Sequence, residues 1–434
     1  MGVDGASVDN FIGRLLDTCQ RRGMQVQQPT RSEVFERTDV EYVRAKMEFY
    51  HKANCGFVMF FTKDKLDDVH HTMKLMETEW DLTTQHVSSQ TVQKALGTKG
   101  AQMVIDNVSL KFNLKLGVST MECRRPIKCA SKPCLPARCC GQGMDGGCSS
   151  VYRLDMSHAG PQSLYERQAK IPATEPTIVG MAYTCGHPLL MRGTYWCQKT
   201  RETSILELTS RVKQAIMNYA EKAKRWPLHL MVYRGGTSEG AFATVADQEQ
   251  GAFVAAFAEL QTEQTDFQTP ELTIVVVQHN SNYRVVPTNI NPQGRPHEQN
   301  VRPGTVVDQA VMHPSYTEFL LVGHKTIQGT AQPIRCTVVV DNCEPRMPLE
   351  ELEYVSYNLC YAHGIVLSPV SVPAPLYSAS DLAKRGRNNW KVSRFGIEDR
   401  GYDKNTLRDQ ELPPDFFEEC NDVLRPDVPT KFWA

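Results

Sequence analysis

No apolar run in this 434-residue chain approaches the roughly 18 residues that a membrane-spanning helix needs, so no membrane is expected as a partner. The first residues, MGVDGASVDNFIGRLL, lack a basic start followed by an apolar core, which excludes an ordinary secretory signal. Net charge is nearly absent, at −1. Any nucleic-acid binding must therefore come from local basic patches. No internal repeat occurs, which excludes a solenoid. Cysteine is plentiful, at 14 residues, but the spacing usual for zinc is missing. Cys123, Cys129, Cys134, Cys139, Cys140 and Cys148 run as C-x5-C-x4-C-x4-CC-x7-C, whereas zinc sites favour ligand pairs separated by two to four residues. Reduced thiols in an intracellular protein, cytoplasmic or nuclear, are expected.

Hydrophobic residues at 41% and charged residues at 22% fit a folded globular chain with two or three domains. Residues 1–117 read as a small α/β unit. GFVMFF (56–61) is a buried strand by its continuous apolar run. LDDVHHTMKLMETEWD (66–81) is expected to be a helix striped by Leu66, Val69, Met73, Met76 and Trp80. A second helix ends in AQMVIDNVSLKFNLKLG, with Ile105, Val108, Phe112 and Leu116 inward and Gly117 as its stop. Residues 118–150, with their prolines, glycines and six cysteines, read as a linker or irregular insert. From 151 to 434, strands and helices resume. TIVGMAYTCG, TYWCQKT, HLMVYRG, LTIVVVQHN, TEFLLVGHK and IRCTVVVDN are strand candidates. ETSILELTSRVKQAIMNYAEKAKRW is a long amphipathic helix, and further helices are expected near 242–261, 348–363 and 376–387. The fold class is α/β with a mixed sheet.

His70 and Lys74 lie four residues apart and share a helix face, as do Lys111 and Lys115. Gln85 falls on the connection between the two helices. Alone, such lysine pairs are ordinary solvent-facing charge. If the faces converge, cationic and amide donors surround one point, which is what a phosphate requires.

At these residues the chain resembles the Argonaute family. HHTMK, TQHV and SLKFNLKLG are similar, in order and spacing, to the 5′-phosphate pocket of the Rossmann-like MID domain. YRGGTSEG, VVQHNSNYR, RPGTVVDQAVMHP, LLVGHKTIQGTAQP, LEYVSYNLCYAHG and SVPAPLYSASDLAKRGR resemble successive segments of the ribonuclease-H-like PIWI domain, and the KFWA end is similar to the family's aromatic-alanine terminus. DMSHAGPQS and GHKTIQGTAQP look most like the worm-specific Argonautes of nematodes (the WAGO clade). The resemblance implies a MID domain over 1–117 and a PIWI domain over 151–434. It implies that His70, Lys74, Gln85, Lys111, Lys115 and Arg385 hold the 5′ end of a small guide RNA. His70 stands where the family has a tyrosine that stacks on the first guide base. An imidazole also stacks, and it can carry charge near neutral pH. Ser368 stands where an arginine is usual. The resemblance to the worm clade, known for guides with a 5′-triphosphate, implies that a histidine in a roomier pocket suits such a guide, with His70 as a mere aromatic substitute the alternative. Gln278, Arg284, His324, Gln328 and Thr330 resemble residues that grip the guide backbone, leaving base pairing to read the sequence. No cofactor is required, although the family leaves room for Mg²⁺ at the guide 5′-phosphate.

Slicing members of the family carry carboxylates and a histidine around two metal ions, because magnesium prefers hard oxygen ligands. The resemblance aligns the first aspartate with Asp155. It places Gly235 at the second, Ser380 at the histidine or aspartate, and Thr203 near the mobile glutamate, with Glu202 beside it. Asp381 follows Ser380, but one helical step turns a side chain by about 100°. Glu239 lies beyond the turn. The expectation is a slicing-deficient protein of RNA-mediated gene silencing, with a complementary target RNA and silencing effector proteins as partners. The alternatives are an active endoribonuclease using Asp155, Glu202 and an unaligned acid, and a protein-binding adaptor without RNA. The adaptor would not require the basic set. The family's N-terminal and PAZ domains have no counterpart here, so a fragment, a truncated product or a partial gene model is expected. The strand before Asp155, CSSVYRLD, is less apolar than a central strand should be.

Overall fold

The computed structural model describes residues 4–63, 67–80, 82–116, 149–168, 175–185, 191–295, 298–326, 328–397 and 416–424. The cysteine-rich stretch to Cys148, the stripe residue Leu66 and the KFWA end lie outside them.

Two helices open the chain, α1 (Gly5–Arg21) and α2 (Val40–Lys52). The sequence reading missed both. Each starts at an aspartate: Asp4 accepts from the Ser7 amide at 3.1 Å and Asp39 from the Tyr42 amide at 3.0 Å, satisfying amides that a helix start leaves free. Then follow β1 (Phe57–Thr62), α3 (Asp67–Trp80), β2 (Thr83–Ser88), α4 (Ser89–Leu96) and α5 (Ala101–Lys115). β1 and β2 pair in parallel, as the α3 crossover dictates. Phe11, Leu15 and Cys19 of α1 pack on Val92, Ile105 and Phe112. Val43 and Met47 of α2 pack on Met73 and Met76.

The second unit contains β3 (Ser149–Ser157), α6 (Leu164–Gln168), β4 (Thr177–Thr184), β5 (Met191–Gln198), α7 (Leu208–Ala223) and β6 (His229–Gly235). A 3-10 turn (Glu239–Ala241), α8 (Phe242–Thr244), a π turn (Val245–Glu249) and α9 (Gln250–Glu263) follow. The remainder is β7 (Glu271–Gln278), β8 (Thr305–Val307), β9 (Glu318–Val322), β10 (Ile334–Asp341), α10 (Leu349–Leu359), α11 (Ala374–Ile397) and α12 (Phe416–Leu424). The eight strands form one mixed sheet in the order β5-β4-β3-β6-β7-β10-β9-β8. β3, β6 and β7 are parallel at its centre and the other pairings are antiparallel. α7 starts later than its apolar periodicity suggested. Gln198 accounts for this: its side chain donates to the Ser204 carbonyl at 2.7 Å and accepts from the Leu206 amide at 3.0 Å, holding 202–206 as a loop.

α7 and α9 cover one face of the sheet through Val212, Ile216, Phe253 and Phe257. α10 and α11 cover the other through Leu352, Leu359, Leu376 and Leu382. α11 lies unusually close. A Cβ on Gly180 would stand 2.2 Å from the Ala379 carbonyl oxygen, and one on Gly386 would stand 2.4 Å from the Tyr195 ring. Only glycine permits this approach. It fixes α11 between the end of β3 and the first unit, so one helix serves two places.

Candidate functional site

The first place lies between α3, β2, α5 and α11. Lys74 and Lys115 are 1% and 3% exposed, so these lysines are not the solvent-facing charges their spacing allowed. Both ammonium groups donate to the Thr84 carbonyl oxygen, each at 2.9 Å. Lys74 also donates to Glu77 at 2.7 Å, and Glu77 accepts from the amide and hydroxyl of Thr84. Gln85 lies on β2, not on an irregular connection, because Thr83–Ser88 pairs with β1. Its amide nitrogen donates to the His86 carbonyl at 3.1 Å, and its Oε1 is buried without a partner. Arg385 reaches in from α11, with Nε and Nη1 buried and without hydrogen-bond partners. The ring of His70 lies 5.3 Å from that of His86 and 5.7 Å from that of His71.

These cations are crowded. Burial lowers the Lys115 pKa well below its usual value, with Lys74 pushing the same way. Burial also lowers Lys74, against the pull of Glu77. Lys111 is lowered by burial and by Arg385, with Asp381 opposing. Arg385 is lowered by burial, with Glu77, Tyr195 and Asp381 opposing. Four basic groups thus face two carboxylates, Glu77 and Asp381. Burial, then Arg385 and Lys74, push His70 down to about 2. Burial first, and then the neighbouring cations, thus disfavour the charged imidazole envisaged from the sequence. An incoming anion would relieve all of these groups at once. Sequence reasoning missed Glu77, although its i+3 spacing from Lys74 was visible.

The second place is the sheet edge at the ends of β3 and β6. Asp155 and Gly235 do come together: a Cβ on Gly235 would stand 3.0 Å from Asp155 Oδ1 and 3.1 Å from Leu376 Cδ1. Gly236 takes a φ of 72°, which suits glycine at this turn. Ser380 lies one helical turn beyond Leu376 on α11 and is half-buried. Thr203 is exposed on the β5–α7 loop, and Glu202 beside it accepts from the Ser204 amide at 3.0 Å. Asp381 belongs to the first place, beside Lys111 and Arg385, and lies 3.7 Å from Lys384. Glu239 pairs with Arg335 at 3.3 Å and His313 at 3.4 Å. Among the described residues no three His, Cys, Asp or Glu side chains are grouped to hold a metal. A two-metal centre requires converging carboxylates, and a side chain at 235 would meet, besides Asp155, only Leu376 and the guanidinium of Arg153. The residues do not fit the metals.

The remaining predicted residues line the same sheet edge. Gln278 ends β7 opposite Arg335, and its side chain donates to the Thr237 carbonyl at 2.7 Å. Arg284 is exposed and donates to the carbonyls of Ser281 and Tyr283 at 2.9 and 2.7 Å. Ser281 donates to the Pro333 carbonyl at 3.1 Å, which joins this loop to the segment carrying His324, Gln328 and Thr330. Gln328 and Thr330 are exposed, whereas His324 is half-buried and its pKa is lowered by burial.

A ribonuclease-H-like mixed sheet, packed through one helix against an α/β unit with buried cations, defines the class: a PIWI-type protein. The family model described as the Piwi domain matches residues 56–391, and the chain belongs to the Argonaute family. It is 27% identical over 432 residues to the Caenorhabditis elegans "Nuclear RNAi defective-3 protein", covering 97% of this chain and 39% of the relative. It is 26% identical over 385 residues to the C. elegans "Argonaute protein wago-1", covering 88% and 38%. The chain thus spans about two-fifths of the length of these relatives. In fold it is similar to the C-terminal lobe of a budding yeast Argonaute, with a TM-score of 0.75 at 17% identity over 99% of this chain and 81% of that one. It is also similar to Kluyveromyces polysporus Argonaute with a guide RNA, with a TM-score of 0.75 at 18% identity over 99% and 46%. No described helix is long and apolar enough to cross a membrane.

Proposed function

We propose that this chain binds a small guide RNA by its 5′ end and presents it to complementary transcripts in RNA-mediated silencing, without cutting them. The observation that carries the reading is the convergence of Lys74, Lys115 and Arg385, all desolvated and short of negative charge. Burying such charges is costly unless an anion joins them. A terminal phosphate supplies that charge, with acceptors in several directions. The protein's own cations make Mg²⁺ dispensable at this pocket. His70, neutral and half-buried, offers a flat face to the first base. Ser368, exposed where the family has an arginine, leaves space and unused charge for a triphosphate. Silencing then rests on recruited effector proteins.

The no-cutting part rests on Gly235 and Ser380. Glycine has no side chain to offer a metal, and a serine hydroxyl brings no negative charge to balance the metal ions. The test is a guide-loaded protein with a fully complementary labelled target and Mg²⁺ or Mn²⁺. We expect intact target. A product cut at one defined position opposite the guide would refute this part and leave guide binding standing.

A further inference from the structure

Arg153 sits in the middle of the central strand β3 with no exposed surface. Strand side chains alternate, so Arg153 and Asp155 project from the same face. Tyr152 and Leu154 enter the opposite core, under α7 and α9. Arg153 Nη2 lies 3.3 Å from the point where a Cβ on Gly235 would stand, and Asp155 Oδ1 lies 3.0 Å from that point. None of the three guanidinium nitrogens has a hydrogen-bond partner among the described residues. The strand is poorly apolar for a central position because of this residue, a signal that the sequence carried.

We infer that the guanidinium of Arg153 has taken the electrostatic place of the metal ions beside Asp155, closing the site to divalent cations even where missing ligands are restored. This inference rests on the non-cutting reading and extends it. A guanidinium remains charged in a protein interior. An unpaired buried charge is strongly destabilising, so a nearby carboxylate is needed. Asp155 is that carboxylate: its remaining role is to balance Arg153. A divalent ion arriving here would meet a fixed positive charge in a low-dielectric setting. An aspartate placed at 235 would lie against the guanidinium and pair with it rather than coordinate a metal.

The test is a double-mutant cycle on the full chain, read as the thermal unfolding midpoint, with parent, Asp155→Asn, Arg153→Met and both together. Methionine keeps the apolar stem of the arginine without its charge. Asp155→Asn alone should lower the midpoint by roughly 4 °C or more. In the Arg153→Met background the same change should cost almost nothing. Equal losses in both backgrounds would overturn the inference. A second arm adds Mn²⁺ to Gly235→Asp with Ser380→His, with and without Arg153→Met. Mn²⁺ should bind at least about 10-fold more tightly once Arg153 is gone. Equal Mn²⁺ binding in both would overturn the inference. Target cutting by the parent protein would instead defeat the non-cutting reading, so the two failures are distinct.

Discussion

Two stretches of α11 face opposite situations. Near its middle, Asp381 and Arg385 lie beside Lys111, and burial lowers the pKa of both basic groups. Near its start, Leu376 and Ser380 lie where, among the described residues, the only carboxylate beside Gly235 is Asp155, next to the guanidinium of Arg153. The same rigid helix positions both, so the difference is chemical. Holding a phosphate needs only converging positive charge, so on the proposed reading an exchange of histidine for tyrosine leaves it intact. Two-metal chemistry needs every ligand together, and its losses are not additive. On the proposed reading, the glycine at 235 alone suffices to prevent it.

The largest expected effect is in the pocket. Each charge-assisted contact contributes about 1.5–3 kcal/mol, so Lys74→Ala with Lys115→Ala should weaken guide binding at least ~100-fold. Undiminished affinity in a titration would erase the contrast between the two places. The partners sharpen it further. Lys74→Ala strands the buried Glu77 and should destabilise the fold. Lys115→Met relieves like-charge crowding and should leave the empty protein no less stable, while still weakening RNA binding.

A smaller effect concerns pH. His70 is held near 2 in the fold, against an ordinary value of 6.5. Above about 6.5 both folded and unfolded chains leave it neutral. As the pH falls below that, the unfolded chain takes up a proton that the folded pocket refuses, so the empty protein loses stability toward acid. His70→Phe should lose less over the same range. Parallel acid denaturation curves would show that neither burial nor the neighbouring cations keep a proton off His70.

The smallest effect is expected at the sheet edge. Arg284 is exposed and turned onto its own loop carbonyls. Arg284→Ala should cost less than ~10-fold in guide affinity, with a shallower salt dependence. A loss as large as that of the lysine pair would shift the account from the guide's end to its backbone.

Much of this was legible in the sequence, unevenly. Continuous apolar runs located β1, β4, β6, β7, β9 and β10, and the ordered motifs picked out Lys74, Gln85, Lys111, Lys115 and Arg385. Burial was not legible. Spacing of i, i+4 places Lys111 and Lys115 on one face but does not say what covers it, and the cover is α11, from far along the chain. Helices α1 and α2 escaped because a thin stripe such as Phe11, Leu15 and Cys19 is diluted by exposed polar residues. Arg153 was visible as a charge in a central strand. Its meaning required the neighbouring strand that sets Gly235 beside it.

The central claim is that the pocket holds a guide by its terminal phosphate. The most direct test is competition among otherwise identical RNAs carrying a 5′-hydroxyl, a 5′-monophosphate or a 5′-triphosphate, on the parent chain and on Arg385→Ala. The parent should prefer either phosphorylated RNA over the hydroxyl by at least ~100-fold and should accept the triphosphate as readily as the monophosphate. Arg385→Ala should shrink the preference. Equal binding of the hydroxyl and phosphorylated RNAs by the parent would contradict the account.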